Sequence, residues 1–236
     1  MSVPGGVWGV GVGPGDPELM TVKACRILEA ADIVAYPAPL EGDSLARGIA
    51  AHHIPPGAEE LPIRISMDPR RYPQTDVYDR AHQEIAMHVG QGHKVVVLCE
   101  GDPFFYGSFM YLFERLSESC PVEIVPGVSS LTACAAELAF PLAARDDVLS
   151  VIPATLPEEA IADRLGGCDV AAIIKVGRHL AKVRRALEQV GLSQHAHYAE
   201  RVTMAGQRTK PLTSLPDETV PYFSMILVHR RGRAAS

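Results

Sequence analysis

Three short stretches bring together residue types suited to holding a small charged ligand. The first, Gly9-Val10-Gly11-Val12-Gly13-Pro14-Gly15-Asp16-Pro17, sets glycines at alternate positions and ends on a carboxylate. Glycines at the exit of a strand let a ligand approach the backbone closely. The second, Glu100-Gly101-Asp102-Pro103-Phe104-Phe105-Tyr106-Gly107-Ser108, joins an acidic pair to three consecutive aromatics. Asp102 can pair with a cationic or hydroxyl-bearing ligand, and a planar ring can pack on the aromatics. The third, Val125-Pro126-Gly127-Val128-Ser129-Ser130, is a Pro-Gly turn followed by two hydroxyls. Each has a plain structural reading beside it: Asp16 as a helix cap with Pro17 in the first turn, and Ser108 or Ser129 as an N-cap.

The first stretch invites comparison with the dinucleotide fingerprint G-x-G-x-x-G and fails it. Counting from Gly9, Gly11 or Gly13, the last glycine position holds Pro14, Asp16 or Glu18. The acid expected after the second strand is missing too, since Asp32 precedes Ile33–Tyr36. A nicotinamide-dependent oxidoreductase is therefore disfavoured.

These stretches need elements to position them. β-Branched runs predict strands over Val7–Val12, Ile33–Tyr36, Val95–Cys99 and Val122–Val125, apolar throughout as parallel strands covered on both faces are. Apolar spacing of three and four predicts helices over Val22–Ala31, Ser44–His52, Val77–Val89, Phe109–Glu118 and Ser129–Leu138. A second set follows the turn-rich stretch Phe140–Asp147, with strands at Val148–Ile152, Val170–Val176, Ala196–Glu200 and Tyr222–His229 and helices at Glu158–Leu165 and His179–Val190. The expected fold is α/β in two lobes: residues 1–143 with a mainly parallel sheet, and residues 144–236 with a mixed one. All three chemical stretches fall where a parallel strand ends, the edge at which open α/β sheets bind ligands.

Composition excludes several classes. At 236 residues, 47% apolar and 21% charged, the chain can bury a real core, about 70% of its unfolded surface. Clean apolar runs such as Val95–Cys99 and Met225–Val228 are far short of a bilayer span. Met1–Gly15 has no basic region of the signal-peptide kind. Five cysteines without a C-x-x-C pair read as reduced thiols of a cytoplasmic protein. A net charge of −6 disfavours nucleic acid as partner. The pairs His52-His53 and His195-x-His197 have no cysteine or carboxylate at ligand spacing, so no protein-bound metal is expected.

Gly-x-Gly-Pro-Gly-Asp at 11–16, Gly-Asp-Pro-x-x-Tyr-Gly at 101–107 and Pro-Gly-Val-Ser-Ser at 126–130 together resemble the ordered signatures of the tetrapyrrole (corrin and porphyrin) methyltransferases. Ala35-Tyr36-Pro37, Ile174-Lys175-Val176-Gly177 and a closing strand at 222–229 extend the resemblance over nearly the whole chain. Within the superfamily, the stretch from Leu98 to Leu112 most resembles the branch methylating carbon 20 of precorrin-2. The chain length fits that branch as well. Glu100 and Ser129-Ser130 depart from the sirohydrochlorin branch, which usually has Gly at the first position and often Thr-Ala at the second.

The resemblance implies two α/β lobes with S-adenosylmethionine in the cleft between them, and a homodimer. By position it assigns Pro14, Gly101, Asp102, Phe105, Ser129, Ser130 and Val176 to the cofactor, with Tyr106 as a neighbour and Met204 and Ala205 on a loop closing over the adenosine. The reaction it implies is methyl transfer from a sulfonium to a bridging carbon of a reduced tetrapyrrole. Glu100 or Asp16 would be the base. The substrate's carboxylates would need local cations, drawn from Arg64, Arg70, Arg71, Arg145, Arg178, Arg201, Arg208 and Lys210, with Arg145 foremost and Arg178 and Arg201 next. Three readings stand: methylation of carbon 20, on metal-free or cobalt-loaded substrate; a relative acting on another ring carbon, a protein or RNA; and a non-catalytic tetrapyrrole-binding or oxidoreductase protein of the pathway.

Overall fold

A computed structural model describes residues 5–66 and 75–232. The chain divides into two compact units, Met1–Ser129 and Ser130–Ser236. The expected division at 143/144 lies further along, in the turn after the helix that opens the second unit.

The first unit holds strands β1 (Gly6–Gly11), β2 (Ile33–Pro39), β3 (Glu59–Ile65), β4 (Lys94–Cys99) and β5 (Val122–Val125), with helices α1 (Val22–Leu28), α2 (Leu45–Ala50), α3 (Thr75–Gly90) and α4 (Phe109–Leu116). The strands pair in the order β3-β2-β4-β1-β5, every pair parallel. The run Val95-Val96-Val97-Leu98-Cys99 explains how one strand serves two cores. Val95, Val97 and Cys99 join Ile85, Phe109 and Leu112, while Val96 and Leu98 pack with Ala24, Leu28 and Ile49. Alternation on a strand buried on both faces sends neighbours to opposite sides. Thr21 and Ser44 start α1 and α2 by accepting the Ala24 and Arg47 N–H groups.

The second unit holds α5 (Ser130–Glu137), β6 (Leu149–Pro153), α6 (Glu158–Gly166), β7 (Val170–Ile174), α7 (Leu180–Gln189), β8 (Ala196–Glu200), β9 (Arg208–Pro211) and β10 (Ser224–His229). Its sheet runs β6-β7-β10-β8-β9, parallel only between β6 and β7. A mixed sheet was the expectation. Tyr198, Ile173, Ile226 and Leu187 lie in its core.

Two strands escape the sequence expectation, β3 and β9, and both are sheet edges. Pro62 and Arg64 are tolerated in β3 because an edge strand leaves one row of backbone groups unpaired. At the other end of the second sheet's central strand the expectation overreached. The strand begins at Ser224, so Tyr222 and Phe223 stand outside it. Among the described residues no helix is long and apolar enough to cross a membrane.

Candidate active site

Strands β4, β1 and β5 are neighbours, so the three glycine-bearing loops leave the sheet side by side. They are tied to one another by their backbones. The Gly101 N–H donates to the Gly13 carbonyl at 2.8 Å, and the Gly13 N–H returns a bond to Gly101 at 3.3 Å. Gly127 presses on Gly101 and on Gly11. A Cβ on Gly11 would stand 2.6 Å from the Gly101 carbonyl oxygen and from the Gly127 Cα, and one on Gly127 would overlap that same oxygen. Close approach of three backbones is what the glycines at 11 and 127 permit.

Asp102 fastens this arrangement. One carboxylate oxygen accepts the Phe104 N–H at 2.9 Å and the other the Gly127 N–H at 3.0 Å. Gly101 and Tyr106 both sit at left-handed φ, 64° and 57°. For tyrosine that conformation costs on the order of 1–3 kcal/mol and is held by its surroundings. The turn leaves the Tyr106 ring exposed, edge-on to Phe105 at 5.2 Å. Pro14 is buried in the first loop and Ser129 half-buried in the third. Thus Pro14, Gly101, Asp102, Phe105, Tyr106 and Ser129 come together at one edge of the first sheet. Ser130, exposed, opens α5.

The two candidate bases differ. Asp16 is half-buried and caps the following turn, accepting the Glu18 N–H at 2.9 Å with Pro17 in the first position, as the plain reading has it. Glu100 lines a cavity of about 30 Å³ beneath the β4 loop, with Tyr78, Ser108, Cys99, Phe109 and Leu112. That volume admits about one water. Burial pushes the Glu100 carboxyl up, only partly offset by backbone hydrogen bonds at its own position and Ala46. Ser108 precedes α4, yet its hydroxyl makes no capping bond.

In the second unit β7 and β8 run the same way, with the start of β10 between them. Val176 is buried just past β7. Arg201, Met204 and Ala205 follow β8, and Arg178 follows Gly177; both arginines are exposed. Arg145 is not with them. It sits in the turn closed by Asp147, which pairs with His229 and Arg231 at the far end of β10, the opposite edge of the sheet.

The remaining cations are mostly committed. Arg208 stands opposite Glu200 in the β8–β9 ladder and clamps it with two bonds, at 3.0 and 3.1 Å, while reaching Glu218 at 2.8 Å. Tyr198 donates to Glu200 from the other side. Burial opposes the charged form of Glu200, but Arg208 and Tyr198 outweigh it and hold the carboxyl below its ordinary range. Arg64 donates to the Pro39 and Gly42 carbonyls. Lys210 lines a surface recess with Glu137 and His197. Arg70 and Arg71 lie outside the described residues. His53 pairs with Glu29 at 2.8 Å, and among the described residues no three His, Cys, Asp or Glu side chains converge as a metal site. Sequence reasoning missed Ser224 and the aromatics before it. The Ser224 hydroxyl receives the Gly177 N–H at 3.2 Å and donates to Pro221, and its signal was the small polar residue opening an apolar strand.

An all-parallel sheet with three glycine loops at its carboxyl edge and no dinucleotide fingerprint, followed along the chain by a mixed-sheet unit, defines a two-unit α/β protein. The chain belongs to the tetrapyrrole (corrin/porphyrin) methylases, whose family model matches residues 6–216. It is 44% identical over its whole length to the cobalamin biosynthesis protein CobIJ of Mycobacterium tuberculosis, and spans 48%, about half, of that longer relative. It is 42% identical to the precorrin-2 C(20)-methyltransferase of a Sinorhizobium species over 93% of both chains. The solved structure of a cobalt precorrin-4 methyltransferase matches with a TM-score of 0.73 at 26% identity, over 94% of each chain. The family's methyl donor is S-adenosylmethionine. The chain's residues fit it: at this edge the Asp102 carboxylate, the half-buried Ser129 and the exposed Tyr106 ring lie about Gly101, where a Cβ would meet nothing nearer than 3.9 Å.

Proposed function

We propose that this protein methylates carbon 20 of precorrin-2, giving precorrin-3A, in cobalamin biosynthesis. The observation that carries the reading is the 42% identity to a precorrin-2 C(20)-methyltransferase across 93% of both chains, with all three strand-end loops intact. S-adenosylmethionine, when bound, supplies an electrophilic methyl group on a sulfonium. Pro14, Gly101, Asp102, Phe105, Tyr106, Ser129, Ser130, Val176, Met204 and Ala205 are the residues that would hold it. Asp102 acts chiefly by fixing the two loops it joins. Holding both reactants in line lowers the barrier by removing their freedom before reaction.

Carbon 20 gains the methyl group and loses a proton, and the chain must take that proton. Glu100 is the better candidate than Asp16, because its carboxyl is held in an apolar cavity that raises its basicity. Arg178 and Arg201, exposed on neighbouring turns, take substrate carboxylates. Arg145, at the other edge of the sheet, has no such placement. The protein works in the cytoplasm as a homodimer.

The test is anaerobic incubation of the protein with S-adenosylmethionine and enzymatically generated precorrin-2, with and without inserted cobalt. Mass spectrometry counts methyl groups and NMR of a carbon-13 label locates them. One methyl at carbon 20 is expected. Methylation at another carbon, or none with either substrate, would overturn the reading.

A further inference from the structure

The segment Pro221–Ser224 is pinned on both flanks. On one side the Ser224 hydroxyl takes the Gly177 N–H, and the Tyr222 Cα stands 3.7 Å from where a Gly177 Cβ would be. On the other side the Arg201 N–H donates to the Phe223 carbonyl at 2.9 Å, and within the segment Ser224 N–H bonds the Tyr222 carbonyl. A backbone so tied has little freedom. Yet it carries two large aromatics into solvent, Tyr222 at 54% exposure and Phe223 at 43%, packed edge to face at 5.2 Å. Scattered exposed apolar residues are ordinary, but two adjacent rings on a fixed turn are a patch that calls for a ligand.

The flanks say which ligand. The two turns that pin the segment are the turns bearing exposed Arg178 and Arg201, one beyond β7 and the other beyond β8. Rings on a segment flanked by two arginine-bearing turns match a flat, electron-rich molecule with acidic arms at its rim. Of these arginines, Arg178 donates to the His179 ring at 3.5 Å from its Nε and keeps its other guanidinium nitrogens for a ligand. A second protein chain would not require cations on both sides of an aromatic pair. Val176, Met204 and Ala205 lie on the same two turns, so the ligand rests beside the methyl donor's residues.

We propose that Tyr222 and Phe223 form the platform for the tetrapyrrole macrocycle, with Arg178 and Arg201 receiving carboxylates on either side of it. The assignment rests on the function proposed above and adds to it the residues that grip the ring. Aromatic stacking gives the affinity, and the paired arginines set which way round the macrocycle lies.

The test is titration of precorrin-2 by absorbance, without S-adenosylmethionine, into wild type, Tyr222→Ala, Phe223→Ala and Tyr222→Trp. Each alanine variant should weaken macrocycle binding about tenfold, while tryptophan keeps it within about twofold. Affinity for S-adenosylmethionine, by calorimetry, and elution volume in gel filtration should not change. Alanine variants that bind precorrin-2 like wild type sink the platform, whatever the methylation assay gives. So does a loss of binding that comes with a changed elution volume, since the rings would then cover a second copy of the chain. A wild-type protein that binds precorrin-2 through these rings but transfers no methyl to carbon 20 overturns the proposed reaction and leaves the platform standing.

Discussion

Asp102 accepts the Gly127 N–H at 3.0 Å across strands that do not touch, for β1 lies between β4 and β5. The bond passes over the exit of β1 and closes three loops into one rim. With the Phe104 N–H on its other oxygen, the carboxylate spends one lone pair on each loop it joins. Removing it with Asp102→Ala strands two backbone donors. The first unit should lose about 2–3 kcal/mol, as hydrogen bonds to a charged group do, and affinity for S-adenosylmethionine should drop more than tenfold. Urea unfolding and calorimetry measure the two. Asp102→Asn keeps one acceptor oxygen and should fall between; an alanine variant with unchanged affinity would show that the rim forms without this tie.

Glycine at 127 is required by crowding and not by its own conformation. An alanine there meets backbone, which cannot swing aside, so Gly127→Ala should cost about 3 kcal/mol or more. Gly48 is the control. It lies inside α2 with nothing within 4 Å of its would-be Cβ, and Gly48→Ala should stabilise by about 1 kcal/mol. Thermal unfolding of the pair should move in opposite directions. Equal shifts would mean that the loops relax around an added methyl group.

The buried strands were legible because their residues state the environment: Val95–Cys99 is apolar at every position and can only be covered on both faces. The edges were not. β9 reads Arg208-Thr209-Lys210-Pro211, with no aliphatic side chain, and is a strand because β8 offers it a ladder and Glu200 an ion pair. The three loops of the rim were readable from glycine spacing, which is local. That Gly127 must lack a side chain depends on Gly11 and Gly101, far off in sequence, and no local pattern carries it. Tyr222 and Phe223 were hidden differently. Aromatics before a β-branched run look like strand, and only the ladder's start at Ser224 puts them outside it. The placement of Arg145 also needed three dimensions, since the strand that separates it from Arg178 and Arg201 reverses no sequence signal.

Arg208 holds Glu200 charged inside the second sheet. Arg208→Met leaves that buried carboxylate with Tyr198 alone, and the melting temperature should fall. Glu200→Gln added to Arg208→Met should recover part of the loss, because an amide does not need the cation. The pair's contribution is present above the ordinary glutamate range and lost as pH falls through the lowered value of the folded protein. The wild type should therefore lose its advantage over the double variant in acid. Thermal melts across pH on the four members of the cycle test this, and additive single effects would mean the two side chains do not act as a pair.

Glu100 sets stability against chemistry. Burial raises its carboxyl, so the folded protein keeps a proton that the unfolded chain releases. Its stabilising contribution is full below the unfolded value and disappears as pH rises through the folded one. At neutral pH Glu100→Gln should therefore be at least as stable as wild type, with the gain vanishing toward acid. Activity should go the other way. If Glu100 is the base of the proposed reaction it must be deprotonated to accept the proton, so kcat of the wild type should rise with pH through a value above the ordinary glutamate range. Glu100→Gln should lose that rise and about a hundredfold in kcat, with affinity for S-adenosylmethionine retained. A variant that is stabilised but still shows the wild-type pH profile would leave Glu100 as a packing residue and move the proton to another acceptor, Asp16 first.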